Sequence, residues 1–419
     1  MKVLFVCHRL PFPPQRGGKI RPFNIICHLS QHHEVTVASL ARTTEELEAG
    51  AGLANYCSHV IAETISAPAA LARMVARLPT AAPSSTGYFY SPALARRIRA
   101  ELARTRFDLI FVHCAFVAGY VADVTSAKKI LDFGDMDSQK WLAYAKSRAF
   151  PLSLGYYVDG TKLRHLEAKL AAKFDLCTCT TRAELDVLKG YATGVPVDWF
   201  PNGVDTEYFK PADAPYRPDA VCFVGRMDYY PNQEGVIDFC RDVLPMIKAR
   251  RPGVTLEIVG AAPPPRIREL GSLPGVTVTG SVPDVRPYAQ SSAVSIAPLK
   301  IARGTQNKIL EAMAMGVPTV SSAVAAGGVD AEPGRHLLTA SDPRGFADAI
   351  LRLLESPAER NRIAEAARAR VLSHHSWKNS MERVDRLIEK HCLPGPGAVP
   401  PKPQRTPSQG QQVKNTCAE

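Results

Sequence analysis

The sequence has no long hydrophobic run, and this absence sets the first limit on its interpretation. No uninterrupted apolar stretch approaches the roughly 18–20 residues that a membrane-spanning helix requires. The short apolar start, residues 1–7, leads into Arg9 and a cluster of prolines and not into a small-residue cleavage site. It therefore predicts a buried first strand and not a signal peptide.

Paired cysteines are also missing. The ten cysteines are scattered and none forms a CxxC pair, while Cys177 and Cys179 stand two apart in a strand-like run. Zinc sites are typically built from such pairs, so no metal centre is predicted at the cysteines. We expect them to be small buried hydrophobic side chains in a reducing cytoplasm.

Two nucleotide-binding signatures are absent as well. No GxGxxG follows the first strand of either half, which argues against a dinucleotide-dependent oxidoreductase. No GxxxxGK followed by Ser or Thr occurs, and this argues against a P-loop kinase.

What the chain does have is length and positive charge. With 419 residues it exceeds one ordinary core of about 100–200 residues, so two domains are expected. The 51 Lys and Arg against 40 Asp and Glu give a formal net charge of +11. This excess favours nucleic acid, phosphorylated ligands or an acidic membrane surface as partners, and composition alone does not choose among them.

Apolar, β-branched runs alternate with amphipathic stretches along the chain. Such buried strands are typical of parallel sheets covered on both faces, so we predict two Rossmann-like, doubly wound α/β domains. The predicted strands are residues 3–7, 35–40, 109–113, 130–133, 176–181 and 197–200, then 221–224, 256–259, 276–279, 294–297, 319–321 and 337–340.

The expected domain boundary lies between residues 204 and 205, at the start of a proline-containing stretch without periodicity. Residues 1–204 would form the first domain, completed by a C-terminal helix over 377–391, and residues 205–376 the second. Residues 393–419 are rich in Pro, Gly, Gln and Lys and are predicted to be a disordered tail.

Four loops of the second half follow predicted strands, and ligands of open parallel sheets bind at such loops. The loops are residues 225–226, 260–262, 298–305 and 321–328. In the third loop, Gly304 permits close approach of a ligand, and Thr305 is expected to cap the helix that follows. The free N–H groups of that helix start are suited to a diphosphate.

Charged side chains surround this helix start. Arg303 and Lys308 lie beside it in sequence, and Arg226 of the first loop could reach the same diphosphate. Glu311, further into the helix, could accept hydrogen bonds from two ribose hydroxyls. Each residue alone could be an ordinary surface charge, but the constellation favours a nucleotide site.

The first half carries a second candidate site. Gly17 and Gly18 precede a predicted helix and allow close approach to an anion or a sugar hydroxyl, or form a plain turn. Lys19 follows them. His113 ends a predicted strand, where a polar residue is either part of a site or a satisfied core histidine.

Asp135 and Asp137 form a DxD pair after the predicted strand at residues 130–133. The pair resembles the metal-binding DxD motif of a single-domain enzyme class, in which the carboxylates hold a divalent metal. Helix capping by Asp137 or Ser138, or contact with an acceptor, is the alternative that we favour here.

Basic residues cluster in the helices of the first half. They form either a solvated helix face or a contact with an anionic membrane surface. They are Arg73, Arg77, Arg96, Arg97, Arg99, Arg104 and Arg106.

Residues 304–318 resemble the signature of family 4 retaining glycosyltransferases, as do residues 200–205. The resemblance covers about residues 1–391 and implies the GT-B fold, two Rossmann-like domains facing across a cleft. Residues 12–14 with 17–19, 131–138 and 225–232 are similar to the sugar transferases associated with the exosortase and PEP-CTERM system of exopolysaccharide clusters.

The resemblance also implies roles for individual residues. Glu311 matches the second glutamate of the family's pair, which holds the donor ribose, and Arg226 matches an arginine that holds the diphosphate. His113 would contact the transferred sugar. The chain departs twice, since Arg303 replaces the first glutamate and Asn232 lies near the position of a usual lysine.

By resemblance, the reaction is transfer with retention from a nucleotide sugar to an acceptor that we expect to be a lipid-linked saccharide. Catalytic roles fall to His113, Arg226 and Lys308. Gly17, Gly18, Arg303, Gly304 and Thr305 join the donor contacts, and Lys19, Asp135 and Asp137 would lie on the acceptor side. We expect no cofactor, no metal and no nucleic-acid partner, and a cytoplasmic location that includes peripheral contact with the anionic inner membrane.

Two other classes stay open at this point. One is an isomerase or hydrolase of the same fold, such as a nucleotide-sugar epimerase, although no obvious acid/base pair is visible. The other is a non-catalytic nucleotide-sugar-binding protein, which the replacement of a family carboxylate by Arg303 makes conceivable.

Overall fold

The computed structural model describes residues 1–212 and 215–393 and divides the chain into two compact units. Of the described residues, Met1–Phe200 and 381–393 form the first unit, and Pro201–Ser380 form the second. The tail expected over residues 393–419 lies, from residue 394 on, outside the described residues. Within the described ranges, no helix has both the length and the apolar character needed to cross a membrane.

The first unit contains a sheet of seven strands, all parallel. The strands are β1 (Lys2–Cys7), β2 (Glu34–Ala41), β3 (His59–Thr64), β4 (Leu109–His113), β5 (Lys128–Asp132), β6 (Leu176–Cys179) and β7 (Val197–Trp199). Their order across the sheet is β3-β2-β1-β4-β5-β6-β7.

Both faces of this sheet are covered. Five consecutive residues of β1 and all five of β4 are buried, and successive strand residues point to opposite faces. The covering helices are α1 (Gly17–His32), α2 (Thr44–Ala49), α3 (Ala67–Arg77), α4 (Ser84–Tyr88), α5 (Pro92–Arg104), α6 (Ala115–Ala118), α7 (Asp137–Ser147), α8 (Leu152–Ala171) and α9 (Arg182–Lys189).

The second unit repeats the plan with six parallel strands. They are β8 (Arg217–Val224), β9 (Thr255–Val259), β10 (Val276–Gly280), β11 (Ser292–Ala297), β12 (Thr319–Ser322) and β13 (Leu338–Ala340). Their order is β10-β9-β8-β11-β12-β13. The prediction of two doubly wound, all-parallel domains is therefore confirmed.

Helices of the second unit connect these strands and pack on them. They are α10 (Tyr230–Asp238), α11 (Leu244–Arg250), α12 (Pro265–Arg268), α13 (Arg286–Gln290), α14 (Asn307–Ala314), α15 (Ala323–Ala326), α16 (Pro343–Glu355) and α17 (Pro357–His374). A π-helical turn, Phe239–Val243, joins α10 to α11.

The last helix, α18 (Trp377–Cys392), returns the chain to the first unit. Asp385 of α18 accepts from His28 Nε2 of α1 at 2.8 Å. Arg383 donates to Asp198 at 2.6 Å and lies over the ring of Trp199. The apolar face of α18, which includes Val384 and Ile388, is buried.

Candidate functional site

Each sheet has one point at which the chain reverses its direction of growth across the sheet. In the first unit it lies between β1 and β4, and in the second between β8 and β11. The connections that leave these neighbouring strands diverge, which opens a crevice at their carboxyl ends where ligands of such folds bind. Both candidate sites predicted from the sequence lie at these two points.

In the second unit, the loops after β8 and β9 pack against each other. Gly225 N donates to Val259 O at 2.9 Å, and Met227 N donates to Ala261 O at 2.8 Å. Gly260 has φ +148°, and a Cβ atom there would overlap the carbonyl oxygen of Gly225. Only glycine fits at this contact, so the loops after β8 and β9 can pack tightly against each other.

The loops after β11 and β12 form a matching pair. Ser322 Oγ donates to Leu299 O at 2.6 Å. A Cβ atom on Gly328 would overlap the carbonyl oxygen of Gly304, which itself has φ +62°. The loop after β12 therefore packs directly against the backbone of the predicted diphosphate loop.

The helix after β11 begins later than predicted. Its N-cap is Gln306 and not Thr305, and no side chain caps it. Gln306 Nε2 donates to Arg303 O at 3.1 Å, which closes a turn over residues 303–306 and keeps Thr305 outside the helix. The prediction that Thr305 caps this helix is therefore wrong, although Thr305 still lies in the loop at the helix start.

Asn232 joins Arg226 to Lys308. Its Nδ2 donates to Arg226 O at 2.7 Å, and its Oδ1 accepts from Lys308 Nζ at 2.6 Å. The Lys308 ammonium also lies 4.3 Å from the centroid of the Phe223 ring. The loop after β8 and the start of α14 thus meet through the amide of Asn232, which lies near the position of the family's usual lysine.

The Arg226 guanidinium is held by a partner that sequence reasoning missed. Asp228, two residues later, accepts from Nε at 3.1 Å and from Nη2 at 2.8 Å. Glu311 is buried, with 4% of its surface exposed, one helical turn beyond Lys308 on α14. Lys308 and the buried Glu311 therefore lie about one turn apart at the start of α14, and the loop that carries Arg226 is connected to Lys308 through Asn232.

In the first unit, His113 is part of a buried network at the end of β4 and β5. His113 Nδ1 lies 2.8 Å from Asp132 Oδ2, and Arg21 donates to both carboxylate oxygens at 2.8 Å. Thr178 Oγ1 donates to Oδ1 at 2.9 Å. Asp132 is fully buried.

The charge of Arg21 decides the protonation of this network. Burial alone would raise the pKa of Asp132, but the charge and hydrogen bonds of Arg21, together with His113, lower that pKa well below its usual range. A carboxylate only accepts hydrogen bonds, so Nδ1 of His113 donates and carries the proton. Nε2 is then the ring atom that remains to meet a ligand.

Sequence reasoning missed Asp132 and Arg21 as well as two residues that follow β1. The His8 ring centroid lies 5.9 Å from that of His113, and burial lowers the pKa of His8. Within the described residues, His8 Nδ1 and Arg9 Nε are buried atoms without a hydrogen-bond partner. Their position directly after a buried strand was the signal that could have identified them.

The other residues of the first unit that were predicted to contact the donor or the acceptor occupy different settings. Gly17 and Gly18 are exposed at the start of α1, whereas Lys19 is buried and pairs with Glu46 at 2.6 Å. Asp135 accepts from Thr180 Oγ1 at 3.1 Å.

Neither Asp137 nor Ser138 caps α7, so the capping part of that alternative is wrong. Met136 is the N-cap and offers no side-chain bond, while Asp137 is the first helical residue. Ser138 turns inward and donates to both oxygens of Glu167 of α8, at 3.0 Å from its N and 2.5 Å from its Oγ. Burial raises the pKa of Asp137.

No described residues form a group of three or more His, Cys, Asp or Glu that is placed to hold a metal ion. Several arginines of the basic cluster have local partners. Arg73 donates to Gly87 O, Arg97 to Glu63 and Arg104 to Glu101.

The second unit matches a known family. Residues 218–356 match the model described as glycosyl transferases group 1, and this range contains Arg226, Lys308 and Glu311. The chain is also 25% identical, over 320 residues, to a phosphatidyl-myo-inositol mannosyltransferase of Mycobacterium leprae, covering 73% of this chain and 79% of that one.

Solved structures share the whole architecture. A sucrose-phosphate synthase from Thermosynechococcus elongatus superposes with a TM-score of 0.67 and 17% identity, over 93% of this chain and 99% of that one. HepE of Anabaena, in complex with UDP-glucose, superposes with a TM-score of 0.66 and 15% identity, over 93% and 100%. The expected GT-B class is confirmed, and together the comparisons support a glycosyltransferase.

Proposed function

We propose that this glycosyltransferase moves a sugar from a nucleoside-diphosphate donor to a lipid-linked glycan acceptor, with retention, in the synthesis of an exopolysaccharide. The observation that carries the proposal is the meeting of Arg226, Lys308 and the start of α14 at one crevice. This crevice lies inside the segment that matches group 1 glycosyl transferases.

The cations would hold the diphosphate. Asp228 occupies the Nε edge of the Arg226 guanidinium, which leaves Nη1 for a phosphate oxygen. Lys308 sits at the helix start, where free N–H groups add a partial positive charge. Arg303, half-buried in the adjoining loop, would add a third charge in place of the family's first glutamate.

Glu311 would bind the ribose of the donor. Glu311 is buried on α14 about one turn beyond Lys308, where its carboxylate could accept from two ribose hydroxyls. HepE binds UDP and UDP-glucose, which supports a nucleoside diphosphate as the ligand class.

His113 would orient the transferred sugar through Nε2. Retention would follow from a same-face substitution, in which the departing diphosphate takes the proton of the acceptor hydroxyl. Arg226, Lys308 and the helix start would stabilise the charge that develops on the leaving oxygen. We propose that neither a metal nor a cofactor takes part.

The acceptor would be a lipid-linked saccharide. The mannosyltransferase relative is named for a phosphatidyl-myo-inositol substrate, and this supports a lipid-linked acceptor here. Lys19, Asp135 and Asp137 would then contribute to the acceptor side, at a cytoplasmic membrane surface, while Gly17 and Gly18 would join the donor contacts.

Calorimetry with UDP and UMP tests the donor site. We expect Glu311→Gln to weaken both nucleotides roughly tenfold to a hundredfold, because a charge-assisted hydrogen bond of about 1.5–3 kcal/mol is lost. Arg226→Ala and Lys308→Ala should weaken UDP more than UMP. Guanosine, adenosine and thymidine diphosphates complete the panel, since the base is not fixed by these contacts.

Arg241→Ala is the matched control, because Arg241 is an exposed, ion-paired cation of the same unit. It should bind every nucleotide as the unaltered protein does. If folded Glu311→Gln and Lys308→Ala variants keep full affinity for all diphosphates, the donor site is wrongly assigned. Proton NMR of the product tests retention, and an inverted anomeric centre would refute the same-face mechanism.

A further inference from the structure

Large apolar side chains are exposed in two segments of the first unit. Phe150 is 78% exposed and Leu71 is 62% exposed, values typical of fully solvated side chains. The exposed set is Leu71, Val75 and Leu78 in the first segment and Phe150, Leu152, Leu154, Tyr157 and Val158 in the second. In the second unit, by contrast, exposed apolar residues stand singly along the chain, which is normal for a protein surface.

The first segment is one face of a helix. Leu71, Val75 and Leu78 follow the i, i+4, i+7 spacing along α3 and its C-cap, so they share a side. That side faces away from the protein, since Ala70 is the one residue of α3 that is fully buried. The helix is therefore amphipathic with its apolar face turned outward.

The second segment lies beside the first. Lys162 Nζ of α8 donates to Leu78 O at 2.8 Å. Asp159 of α8 accepts from Ser84 N at 2.6 Å and from Ser84 Oγ at 2.7 Å. These bonds fix the exposed N-terminal half of α8 against the end of α3 and the start of α4.

The charge around both segments has one sign. Residues 64–100 and 138–158 contain no Asp or Glu. The two stretches contain eight cations, which are Arg73, Arg77, Arg96, Arg97, Arg99, Lys140, Lys146 and Arg148.

Two of these arginines bond to uncharged groups, since Arg73 donates to the carbonyl of Gly87 and Arg77 to the hydroxyl of Thr86. Arg97 pairs with Glu63, which lies just outside the two stretches. The apolar surface is thus bordered by net positive charge.

We propose that the exposed faces of α3 and residues 150–158 form a docking surface for an anionic lipid bilayer. Apolar side chains that project from a cationic surface enter the acyl boundary, while Lys and Arg contact the headgroups. A second copy of the chain fits less well, because a twofold contact would bring two cationic surfaces together. We call these residues the docking surface.

The docking surface rests on the proposed function in one respect, because a lipid-linked acceptor would be reached at the bilayer that this surface binds. Helix α7 joins the two regions, because it starts at Asp137 in the candidate acceptor loop and ends at Ser147, just before Phe150. Eleven residues at about 1.5 Å each span roughly 16 Å. The docking surface would therefore hold that loop close to the headgroup region.

The test is co-sedimentation of the full chain with vesicles of phosphatidylcholine alone and with added phosphatidylglycerol, without donor or acceptor. We expect binding to the anionic vesicles only. A variant with Leu71→Ser, Val75→Ser, Phe150→Ser and Leu154→Ser should bind at least about tenfold more weakly, because four exposed apolar side chains no longer insert. These positions are exposed, so the fold should be kept.

The control carries Met246→Ser, Val324→Ser and Leu372→Ser, which are exposed apolar residues of the second unit, and it should bind like the unaltered protein. Equal binding by both variants, or no preference for anionic vesicles, would overturn the proposal. So would an analytical ultracentrifugation result in which the unaltered protein is a dimer and the docking-surface variant a monomer. UDP affinity of the same variants is measured separately, so failure of the donor site and failure of this surface are distinguishable.

Discussion

At the residue scale, Asp132 connects three side chains, since it accepts from Arg21, Thr178 and His113 while fully buried. Asp132→Asn should lower the free energy of unfolding at pH 7 by about 3–5 kcal/mol, because the buried Arg21 loses its charge partner. Urea unfolding measures this change. Asp123→Asn removes an exposed ion pair with Lys173 and should change stability little.

The pH dependence gives this prediction a second readout. The pKa of Asp132 is lowered in the folded protein. Its contribution to the free energy of unfolding is therefore fully present above the pKa of the unfolded chain, about 3.9, and is lost as the pH falls below that value. The stability difference between the unaltered protein and Asp132→Asn should therefore narrow below about pH 4. A difference that is absent at pH 7, or constant down to pH 3, would contradict the assignment of Asp132 as a carboxylate.

At the scale of elements, the contact of Gly328 with Gly304 connects the loop after β12 to the diphosphate loop. Gly328→Ala should destabilise the protein by about 1–3 kcal/mol and weaken UDP binding, because the added Cβ displaces the Gly304 carbonyl. Thermal unfolding and calorimetry measure the two effects.

The neighbouring Gly327 supplies the control for this change. It has φ −60° and ψ −17°, and an added Cβ would meet its nearest atoms at 3.5 Å, an ordinary contact. Gly327→Ala should keep both stability and UDP affinity. If Gly327→Ala and Gly328→Ala have the same stability and the same UDP affinity, the close approach of Gly328 to Gly304 contributes to neither property.

Most strands were predictable, and the one that was missed shows why. The strands at the sheet centres are continuous apolar runs because both faces are buried, and that pattern is readable from the sequence. β3 lies at the sheet edge with Ile61 as its one buried residue, so its sequence has no such run. The π-helical turn at Phe239–Val243 has no periodicity signal that separates it from a helix.

The sequence predicted which loops carry the candidate sites, but it did not predict the hydrogen-bond partners of the residues in them. Strand ends gave His113, and the loop after β8 gave Arg226, because position in an α/β sheet is enough to select them. The partners came from folding, since Arg21 and Asp132 are 111 residues apart in the chain and Lys308 and Asn232 are 76 apart. No local pattern encodes such pairings.

At the scale of the whole molecule, the first unit depends on the last helix. A chain that ends at Ser376 lacks α18 and with it the contacts to His28 and Asp198. It also lacks the buried Val384, Leu387 and Ile388, each worth about 1.5–3 kcal/mol. This sum is comparable with the roughly 5–15 kcal/mol that stabilises a domain, so the first unit should melt far lower or fail to fold.

Scanning calorimetry compares this chain with one that ends at Leu393, which keeps α18 and serves as the control. The control should melt like the full-length chain. If removal of α18 leaves every transition unchanged, the helix does not belong energetically to the first unit.

The return of α18 to the first unit also sets the order in which the two units mature on the ribosome. The segment Pro201–Ser380 is synthesised between the two parts of the first unit. At roughly 5–20 residues per second its translation takes about 10–40 s. During that interval the surface of the first unit around His28 and Trp199 is uncovered, because α18 has not yet been synthesised. The second unit is therefore the first to be complete. A chaperone would have more time to bind the N-terminal part of the chain than to bind the second unit.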